Sequence, residues 1–408
     1  MIAYVSPPFD FVTAASLLLS RKPAPTIGEI EETYARMLGV RGVVLLPSVR
    51  AGIHMVLRAV SGPGGLVVGP AYTCAVVHQA MRASGLRMRF VDAAPRQFSM
   101  ACDQLASAME PGCCVIVCEA YGIPTDPNML KASGELRPAV RILDTALNIP
   151  DPVRLGRLEG TDVAMFSLGL GKCMYAGWGG LACFQEEGLA QRIRELRDAS
   201  ARRGTALQQQ RNALTVFARV AKRSRMIYGL ASAASAAVSL VRGNILGRKE
   251  ELRSRRAVDV IQEFTAEWSR LPGPFNRKLA LHNLHHRETA AGIRRRLAET
   301  YVACLKDFGV VQGVDGEALP QSHFPIRVPA KLRPQVQDYL WRRGIDTGRQ
   351  FPFPESLSPA LYLNAAQASA EVLTLPLGEH ISPKDVETIS RKVVGALQRA
   401  NRYAPRCG

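Results

Sequence analysis

Residues 166–180 read FSLGLGKCMYAGWGG, and this stretch gives the clearest indication of how the chain folds. It places one lysine, Lys172, among small and apolar residues. The apolar run 163–166 precedes it, and the glycine-rich turn 177–180 leads into a strand-like segment at 181–184. A partly dry pocket at this point favours the neutral, nucleophilic form of the amine. The alternative is a loop lysine whose ammonium reaches water, because lysine is rarely fully buried.

Two polar residues upstream also follow strand-like runs. Asp144 ends the apolar run 140–143, and Ser48 follows the run 43–47. Free backbone amides at the helix start after Ser48 can bind a phosphate dianion, although a serine there can also serve only as a helix cap. Together with Lys172, these residues supply what pyridoxal phosphate (PLP) requires: a partner for the pyridinium nitrogen, an amine and an anion site.

These motifs, in this order and spacing, resemble those of the DegT/DnrJ/EryC1/StrS sugar aminotransferases. That family consists of PLP-dependent enzymes with the aspartate aminotransferase fold, known as fold type I. The resemblance runs from about residue 26 to about residue 400. Its most specific element is the pair Ser167 and Lys172, five positions apart, which matches the phosphate-binding serine and the cofactor-binding lysine of the family.

The resemblance implies a role for each matching residue. Lys172 is expected to be the catalytic residue and to hold PLP covalently, and Asp144 is expected to keep the ring nitrogen protonated. The side chain of Arg50 is expected to supply charge where the family has a threonine hydroxyl. The residues expected to bind the cofactor phosphate are Ser48, the amides of Val49 and Arg50, and Ser167.

Several positions depart from the family pattern. The aromatic residue that normally lies over the cofactor ring is replaced by Cys74, so either Tyr72 or Cys74 is expected at the ring. Leu147 stands in place of a glutamine. The nearest match to an Asn-x-Arg segment, from which a partner subunit usually reaches the phosphate, is 268–270, which begins with Trp268. The departures are therefore at Val49, Cys74, Leu147 and Trp268.

Strand-like and helical segments alternate as far as residue 184. This alternation predicts an α/β fold with a mostly parallel central sheet and a site at its carboxyl edge. A smaller C-terminal α+β domain is expected to follow. The predicted divisions are an N-terminal arm (1–25), a large PLP-binding domain (26–200), a basic helical insertion with connecting helices (201–290) and the small domain (291–408).

The composition indicates a soluble, globular protein. The chain has 408 residues, is 47% hydrophobic and contains nine scattered cysteines, which fits free thiols in a reducing cytoplasm. Residues 1–8 lack a basic region followed by an apolar core, so no signal peptide is expected, and no uncharged apolar run reaches the roughly 20 residues of a membrane span. The histidines at 282, 285 and 286 are interpreted as surface residues, so no metal site is expected.

The net charge of +17 is unusual and is compatible with nucleic acid, an anionic membrane surface or phosphorylated substrates as partners. No helix-turn-helix, zinc spacing or basic stripe with interleaved aromatic residues occurs, so specific nucleic-acid binding is not expected. Phosphorylated substrates and anionic lipid remain open. The basic region 202–256 contains the apolar stretch 213–241, which is either a helical hairpin packed on the body or at a dimer interface, or an interfacial helix on an anionic membrane.

The resemblance implies a homodimeric, PLP-dependent aminotransferase. The amino donor is expected to be glutamate or glutamine, and the acceptor a keto sugar linked to a nucleotide, in cell-surface polysaccharide or amino-sugar biosynthesis. The expected location is the cytoplasm, with the inner membrane face as a site of peripheral binding. The alternatives are another PLP reaction on a non-sugar substrate and a catalytically silent scaffold or regulator.

Overall fold

The protein is described by a computed structural model that covers residues 1–126, 137–157, 161–241, 266–314 and 318–403. Seven strands form a central sheet, and two more form a small antiparallel sheet. The strands are β1 (Gly42–Leu46), β2 (Leu66–Pro70), β3 (Arg87–Val91), β4 (Cys114–Cys118), β5 (Val140–Asp144), β6 (Val163–Ser167), β7 (Gly180–Phe184), β8 (Phe324–Arg327) and β9 (Val372–Leu375).

Helices cover both faces of the large sheet and surround the small one. Short 3₁₀ turns occur at Ala120–Gly122, Ala266–Ser269 and Lys306–Phe308. The α-helices of the described residues are α1 (Phe11–Leu19), α2 (Ile27–Leu38), α3 (Val49–Val60), α4 (Ala75–Ala83), α5 (Cys102–Ala108), α6 (Pro152–Arg157), α7 (Glu187–Ser200), α8 (Ala206–Ala221), α9 (Arg225–Val241), α10 (Pro274–His285), α11 (Arg287–Leu305), α12 (Arg333–Trp341), α13 (Leu363–Glu371) and α14 (Pro383–Tyr403).

The order of strands in the large sheet is β1-β7-β6-β5-β4-β2-β3. Strands β2 to β6 pair in parallel, whereas β7 runs antiparallel to both of its neighbours, β1 and β6. The prediction of a mostly parallel sheet is therefore confirmed. Because β1, β5 and β6 run in the same direction, their carboxyl ends lie at one edge of the sheet, next to the first residue of β7.

Buried apolar residues form one cluster on each face of the large sheet and a third around the small sheet. Strands β1, β4 and β7 are buried along their whole length, as expected for a sheet covered on both faces. Leu284 of α10 belongs to a large-sheet cluster, while Leu297 of α11 belongs to the small-sheet cluster. Helix α11 thus passes from the large-sheet cluster to the small-sheet cluster, which is compatible with a domain boundary near residue 291. The predicted domain divisions remain predictions.

The predicted helix over 27–38 illustrates how local sequence sets an element. Thr26 accepts a hydrogen bond from the Glu29 amide, and the Glu29 carboxylate accepts one from the Thr26 amide, which forms a capping box. The helix ends where Gly39 adopts a left-handed conformation with φ of 65°. Its buried face contains Ile30, Tyr34 and Leu38, the apolar residues whose spacing predicted the helix, so the prediction of a helix over 27–38 is confirmed.

The described part of the basic insertion packs on the body of the protein. Val216 and Val220 of α8 are buried in a large-sheet cluster, and Arg225 at the start of α9 forms a 2.7 Å ion pair with Asp385. The rest of the predicted region, residues 242–256, lies outside the described residues. In the ranges that the structure covers, no helix combines the length and the apolar character that a membrane crossing needs.

Candidate active site

Lys172 lines a cavity of about 540 Å³ at the carboxyl edge of the large sheet. It lies in the loop that joins β6 to β7, and its side chain is half-buried. The other walls of the cavity come from the N-terminal arm, the turn after β2, the insertion and the small domain. The half-buried position of Lys172 agrees with the partly dry pocket and with the loop lysine, so both remain predictions.

Backbone hydrogen bonds close the loop around Lys172. The Leu168 amide donates to the Gly179 carbonyl at 3.0 Å, and the Ala176 amide donates to the Leu168 carbonyl at 2.9 Å. Gly179 has a φ of +118°, and a Cβ there would lie 2.5 Å from a carbon of Pro272, so a side chain at this position would be both strained and excluded. The glycine-rich turn therefore fixes the lysine backbone.

Two asparagines of α10 support this loop and were missed by the sequence analysis. The Asn276 side-chain amide donates to the Ala176 carbonyl at 2.7 Å, and the Asn283 amide donates to the Tyr175 carbonyl at 2.8 Å. Both asparagines are buried. The signal that indicates them is their spacing of seven residues, which places both on one face of a helix that starts with Pro274.

We expect Asn276→Ala to weaken cofactor binding. The substitution leaves the buried Ala176 carbonyl without its donor, at a cost of about 1–3 kcal/mol, and loosens the loop that holds Lys172. The apparent Kd of the apoprotein for PLP, followed by absorbance, is expected to rise by about tenfold. Asn212→Ala on the half-buried face of α8 is the matched control. Equal PLP affinities for the two variants would contradict this role for Asn276.

Asp144 lies at the end of β5 and is buried. Its carboxylate accepts a hydrogen bond from the Ala146 amide at 3.0 Å and a weak one from the Cys118 thiol at 3.8 Å. Burial raises the pKa of Asp144, and the positive charge of Lys172 partly offsets that rise. Asp144 at the end of β5 and Lys172 in the loop after β6 thus both lie at the carboxyl edge of the sheet.

Three strands bring Ser48 and Ser167 to the two sides of Gly180. Leu46 and Ser167 both pair with Gly180 across the sheet. A Cβ on Gly180 would lie 2.8 Å from the Val49 amide nitrogen, so the start of β7 directly abuts the start of α3. Ser48 accepts a hydrogen bond from the Ala51 amide at 3.1 Å and caps α3, so the start of this helix lies beside the first residue of β7.

The side chain of Arg50 does not line the Lys172 cavity. Its guanidinium lies 4.6 Å from the ring centroid of the buried Trp268 and donates to the Gln79 side-chain oxygen at 2.9 Å. The guanidinium of Arg50 thus packs against Trp268, outside the Lys172 cavity. The role of Arg50 at the cofactor phosphate remains a prediction. The structure also shows that Trp268 itself is a core residue under α3.

Of the two residues expected at the cofactor ring, only Cys74 lines the cavity. Tyr72 is buried in a neighbouring aromatic cluster, where its hydroxyl lies 2.5 Å from that of Tyr121 and its ring packs edge-on against Phe351. Leu147 also lines the cavity, in the place where the family has a glutamine. Cys74 and Leu147 consequently make this wall of the cavity less aromatic and less polar than the aromatic residue and the glutamine of the family pattern would.

Two residues at the cavity had no signal in the sequence. Tyr4 comes from the N-terminal arm, and its hydroxyl lies 2.6 Å from that of Thr374 in β9. His323 precedes β8, its ring lies 4.7 Å from the ring of Tyr4, and its Nδ1 lies 2.9 Å from the Ser322 hydroxyl. Burial, with the charges of Lys172 and Arg294, lowers the pKa of His323 to about 3. His323 is therefore a neutral hydrogen-bonding group.

Buried histidines predict how stability depends on pH. Burial lowers the pKa of His380 to about 4, below the ordinary value of 6.5, as it does for His323. Between these values the unfolded chain binds more protons than the folded one, so stability falls as the pH drops from about 6.5 to 4. The melting temperature of His380→Gln is expected to fall less steeply over this range. His285→Gln, at an exposed position, is the control and is expected to keep the wild-type dependence of melting temperature on pH. The same dependence in His380→Gln and the wild type would contradict a lowered pKa for His380.

Among the residues that the structure covers, no three His, Cys, Asp or Glu side chains converge to hold a metal ion. His282 and His286 stack with ring centroids 4.0 Å apart, and His286 Nδ1 lies 2.8 Å from the His282 carbonyl oxygen. This pair thus forms a local helix-end contact.

Comparisons with known proteins show what the chain is similar to. A family model described as the DegT/DnrJ/EryC1/StrS aminotransferase family matches residues 18–262. A dTDP-4-dehydro-2,3,6-trideoxy-D-glucose 4-aminotransferase of Saccharopolyspora spinosa is 24% identical over 393 residues, which cover 92% of this chain and 90% of that protein. Protein MosB of Rhizobium meliloti is 26% identical over 174 residues, so the match covers 42% of this chain and only 34% of MosB.

Solved structures share the fold along nearly the whole chain. Spr1654 of Streptococcus pneumoniae in its PLP form matches with a TM-score of 0.72 at 15% identity, covering 98% of this chain and 100% of that one. DesI, solved in the presence of its TDP-sugar product, matches with a TM-score of 0.68 at 19% identity, and the match covers 99% of this chain and 95% of that one. At these identities the likeness shows the fold, and it confirms the predicted PLP-transferase architecture.

Proposed function

The chain belongs to the DegT/DnrJ/EryC1/StrS aminotransferase family, and we propose that it transfers an amino group from an amino acid to a nucleotide-linked keto sugar. The observation that carries this proposal is the position of buried Asp144 at the end of β5 and of Lys172 in the loop after β6, both at the carboxyl edge of the sheet. The names of the Saccharopolyspora relative and of DesI support a nucleotide-linked sugar as acceptor. Glutamate or glutamine is the proposed donor, by analogy with the family.

The cofactor of this family of aminotransferases is PLP, and the residues present fit it. Asp144 offers a buried carboxylate for a ring nitrogen, and Lys172 offers an amine at the cavity. A Cβ at Gly180 would collide with the backbone at the start of α3, so this glycine keeps the helix start close to Ser167 across the sheet, where an anion could be bound. When bound, PLP supplies an electron sink for the negative charge that forms on the α-carbon of the donor.

The chain's own residues then perform three tasks. Lys172 would hold the cofactor covalently until the amine of the donor replaces it there. The freed Nζ would then take the proton from the α-carbon of the donor and later deliver a proton to the acceptor carbon. Asp144 keeps a proton on the ring nitrogen, because a buried carboxylate favours a cationic neighbour. Ser48, Ser167 and the amides of Val49 and Arg50 bind the phosphate and so fix the ring.

The two half-reactions test this function separately. The purified protein with PLP is mixed with glutamate or glutamine and no acceptor, and conversion of the cofactor to its amine form is followed by absorbance. A nucleotide-linked 4-keto sugar is then expected to restore the original spectrum. A spectrum that responds to no amino acid would favour the silent scaffold, and release of carbon dioxide from the donor would indicate another PLP reaction.

We propose that the protein is a homodimer. A groove of about 570 Å³ between α1 and α8 is lined mostly by apolar residues, together with Gln209, Gln210 and Lys278, and several large apolar side chains beside it are exposed. A second copy that covers this face would remove their apolar surface from water. Light scattering is expected to give twice the mass of the chain, and a monomer would contradict the proposal. The exposed residues are Phe11, Leu18, Leu19, Leu207 and Leu214.

The free thiols support a reducing cytoplasm as the location, since the eight cysteines of the described residues form no disulfide. We also propose that the aminotransferase acts in cell-surface polysaccharide or amino-sugar biosynthesis.

Peripheral membrane binding would use Met226, Ile227 and Leu230, which are exposed at the start of α9 beside Arg225. Sedimentation with anionic liposomes tests this, and absence of binding at low and high salt would overturn it.

A further inference from the structure

The basic insertion forms one wall of the cavity that contains Lys172. Arg219 in the last turn of α8 lines the cavity, followed by Lys222, which caps that helix, and by Tyr228 in the first turn of α9. The turn between the helices is anchored, because the Tyr228 hydroxyl donates to the Asp346 carboxylate. The insertion therefore brings two cations to the site on a fixed support.

The charge of this cavity is unbalanced. Lys172, Arg219, Lys222 and Arg349 all line it, and no aspartate or glutamate occurs among the described residues that do so. A cation-rich cavity with partly buried walls concentrates negatively charged ligands. The cavity is thus built for an anionic substrate.

Arg219 and Lys222 differ from the cations next to them. Arg223 donates to the backbone carbonyls of Pro7, Phe9 and Glu379, and Arg225 pairs with Asp385. By contrast, Arg219 and Lys222 are half-buried and make no side-chain hydrogen bond or ion pair within the described residues. Their charges are consequently available to a ligand in the cavity.

The cofactor phosphate does not account for these two cations. Ser48 and Ser167, proposed above to bind that phosphate, flank Gly180 and are not among the residues that line this cavity. The positions 219 and 222 are three residues apart on a helix, so their Cβ atoms lie about 5–6 Å from each other. That spacing suits two linked phosphates, which a guanidinium fork and an ammonium bind well.

From this geometry we infer that Arg219 and Lys222 bind the diphosphate of the nucleotide-linked acceptor. The inference rests on the proposed function, whose acceptor carries such a group, and assigns its recognition to the insertion. Lys172 faces the same cavity, so a substrate held by its diphosphate at α8 would extend its sugar toward the reacting amine.

Binding of thymidine diphosphate to the PLP-loaded protein tests this inference by calorimetry. The double variant Arg219→Gln with Lys222→Gln is expected to bind about 100-fold more weakly, since each lost charge-assisted contact costs roughly tenfold. Arg211→Gln, exposed on the same helix, is the control and is expected to match the wild type. Arg219→Lys with Lys222→Arg is expected to restore most of the affinity, and melting curves check that each variant folds.

The half-reaction with glutamate is the second measurement, because the glutamate carboxylates are the other anions that Arg219 and Lys222 could bind. The glutamate concentration that half-converts the cofactor is expected to be the same in the double variant and the wild type. A large rise in that concentration with unchanged thymidine diphosphate affinity would overturn the inference, as would failure of the wild type to bind thymidine diphosphate. Loss of that binding in the variant alone would support the site even if amino transfer to a sugar were not found.

Discussion

Lys172→Ala is expected to abolish amino transfer and to remove the near-visible absorbance of the covalently bound cofactor. The variant loses both the amine that holds PLP and the group that moves the proton at the α-carbon, so kcat should fall by at least about 10³-fold. Absorbance spectra of the purified variant with added PLP, together with the glutamate half-reaction, measure both effects. Lys172 is half-buried and lines a cavity, so its truncation should leave the fold intact.

The control for this experiment is Lys331→Ala, an exposed lysine before α12. It is expected to keep the spectrum and the rate of the wild type. An unchanged spectrum in Lys172→Ala would remove this residue from the mechanism, whatever its effect on rate. Loss of activity in both variants would instead indicate a general effect of lysine removal.

Asp144→Asn is expected to reduce kcat by about 10²–10³-fold while the cofactor stays attached to Lys172. The amide is nearly the same size as the carboxylate, but it carries no charge to keep a proton on the ring nitrogen. The spectrum should therefore still show a covalently bound cofactor, and the half-reaction with glutamate should become slow. Stopped-flow absorbance measures that rate directly.

The matched control is Asp162→Asn at the opposite edge of the sheet. Burial raises the pKa of Asp162 as it does that of Asp144, and the Asp162 carboxylate accepts a hydrogen bond from the Arg141 amide at 2.6 Å. We expect this variant to be less stable but close to normal in kcat. Similar rates for Asp144→Asn and the wild type would show that the ring nitrogen needs no carboxylate here.

Much of the sheet edge was predictable from local sequence. The apolar runs before Ser48, Asp144 and Ser167 are strands because each is buried on both faces, and parallel strands must end at a common edge. The capping residue Thr26 and the apolar spacing after it also set α2 without reference to the rest of the fold. In these cases the information lies within about ten residues.

The remaining walls of the site were not predictable because they depend on distant contacts. Tyr4 reaches the cavity through a hydrogen bond to Thr374, 370 residues later in the chain. His323 and Asn276 likewise act on a loop or cavity far from them in sequence. The charge pattern around 219–222 predicted a helical, basic segment, but only the packing of α8 shows which of its cations face the site.

The position of the covalent cofactor bond tests the central claim most directly. The PLP-loaded protein is treated with borohydride, which makes that bond permanent, and is then digested and mapped by mass spectrometry. The account predicts a pyridoxyl phosphate mass on the peptide that contains Lys172. The same mass on a peptide with another lysine, or on none, would contradict it.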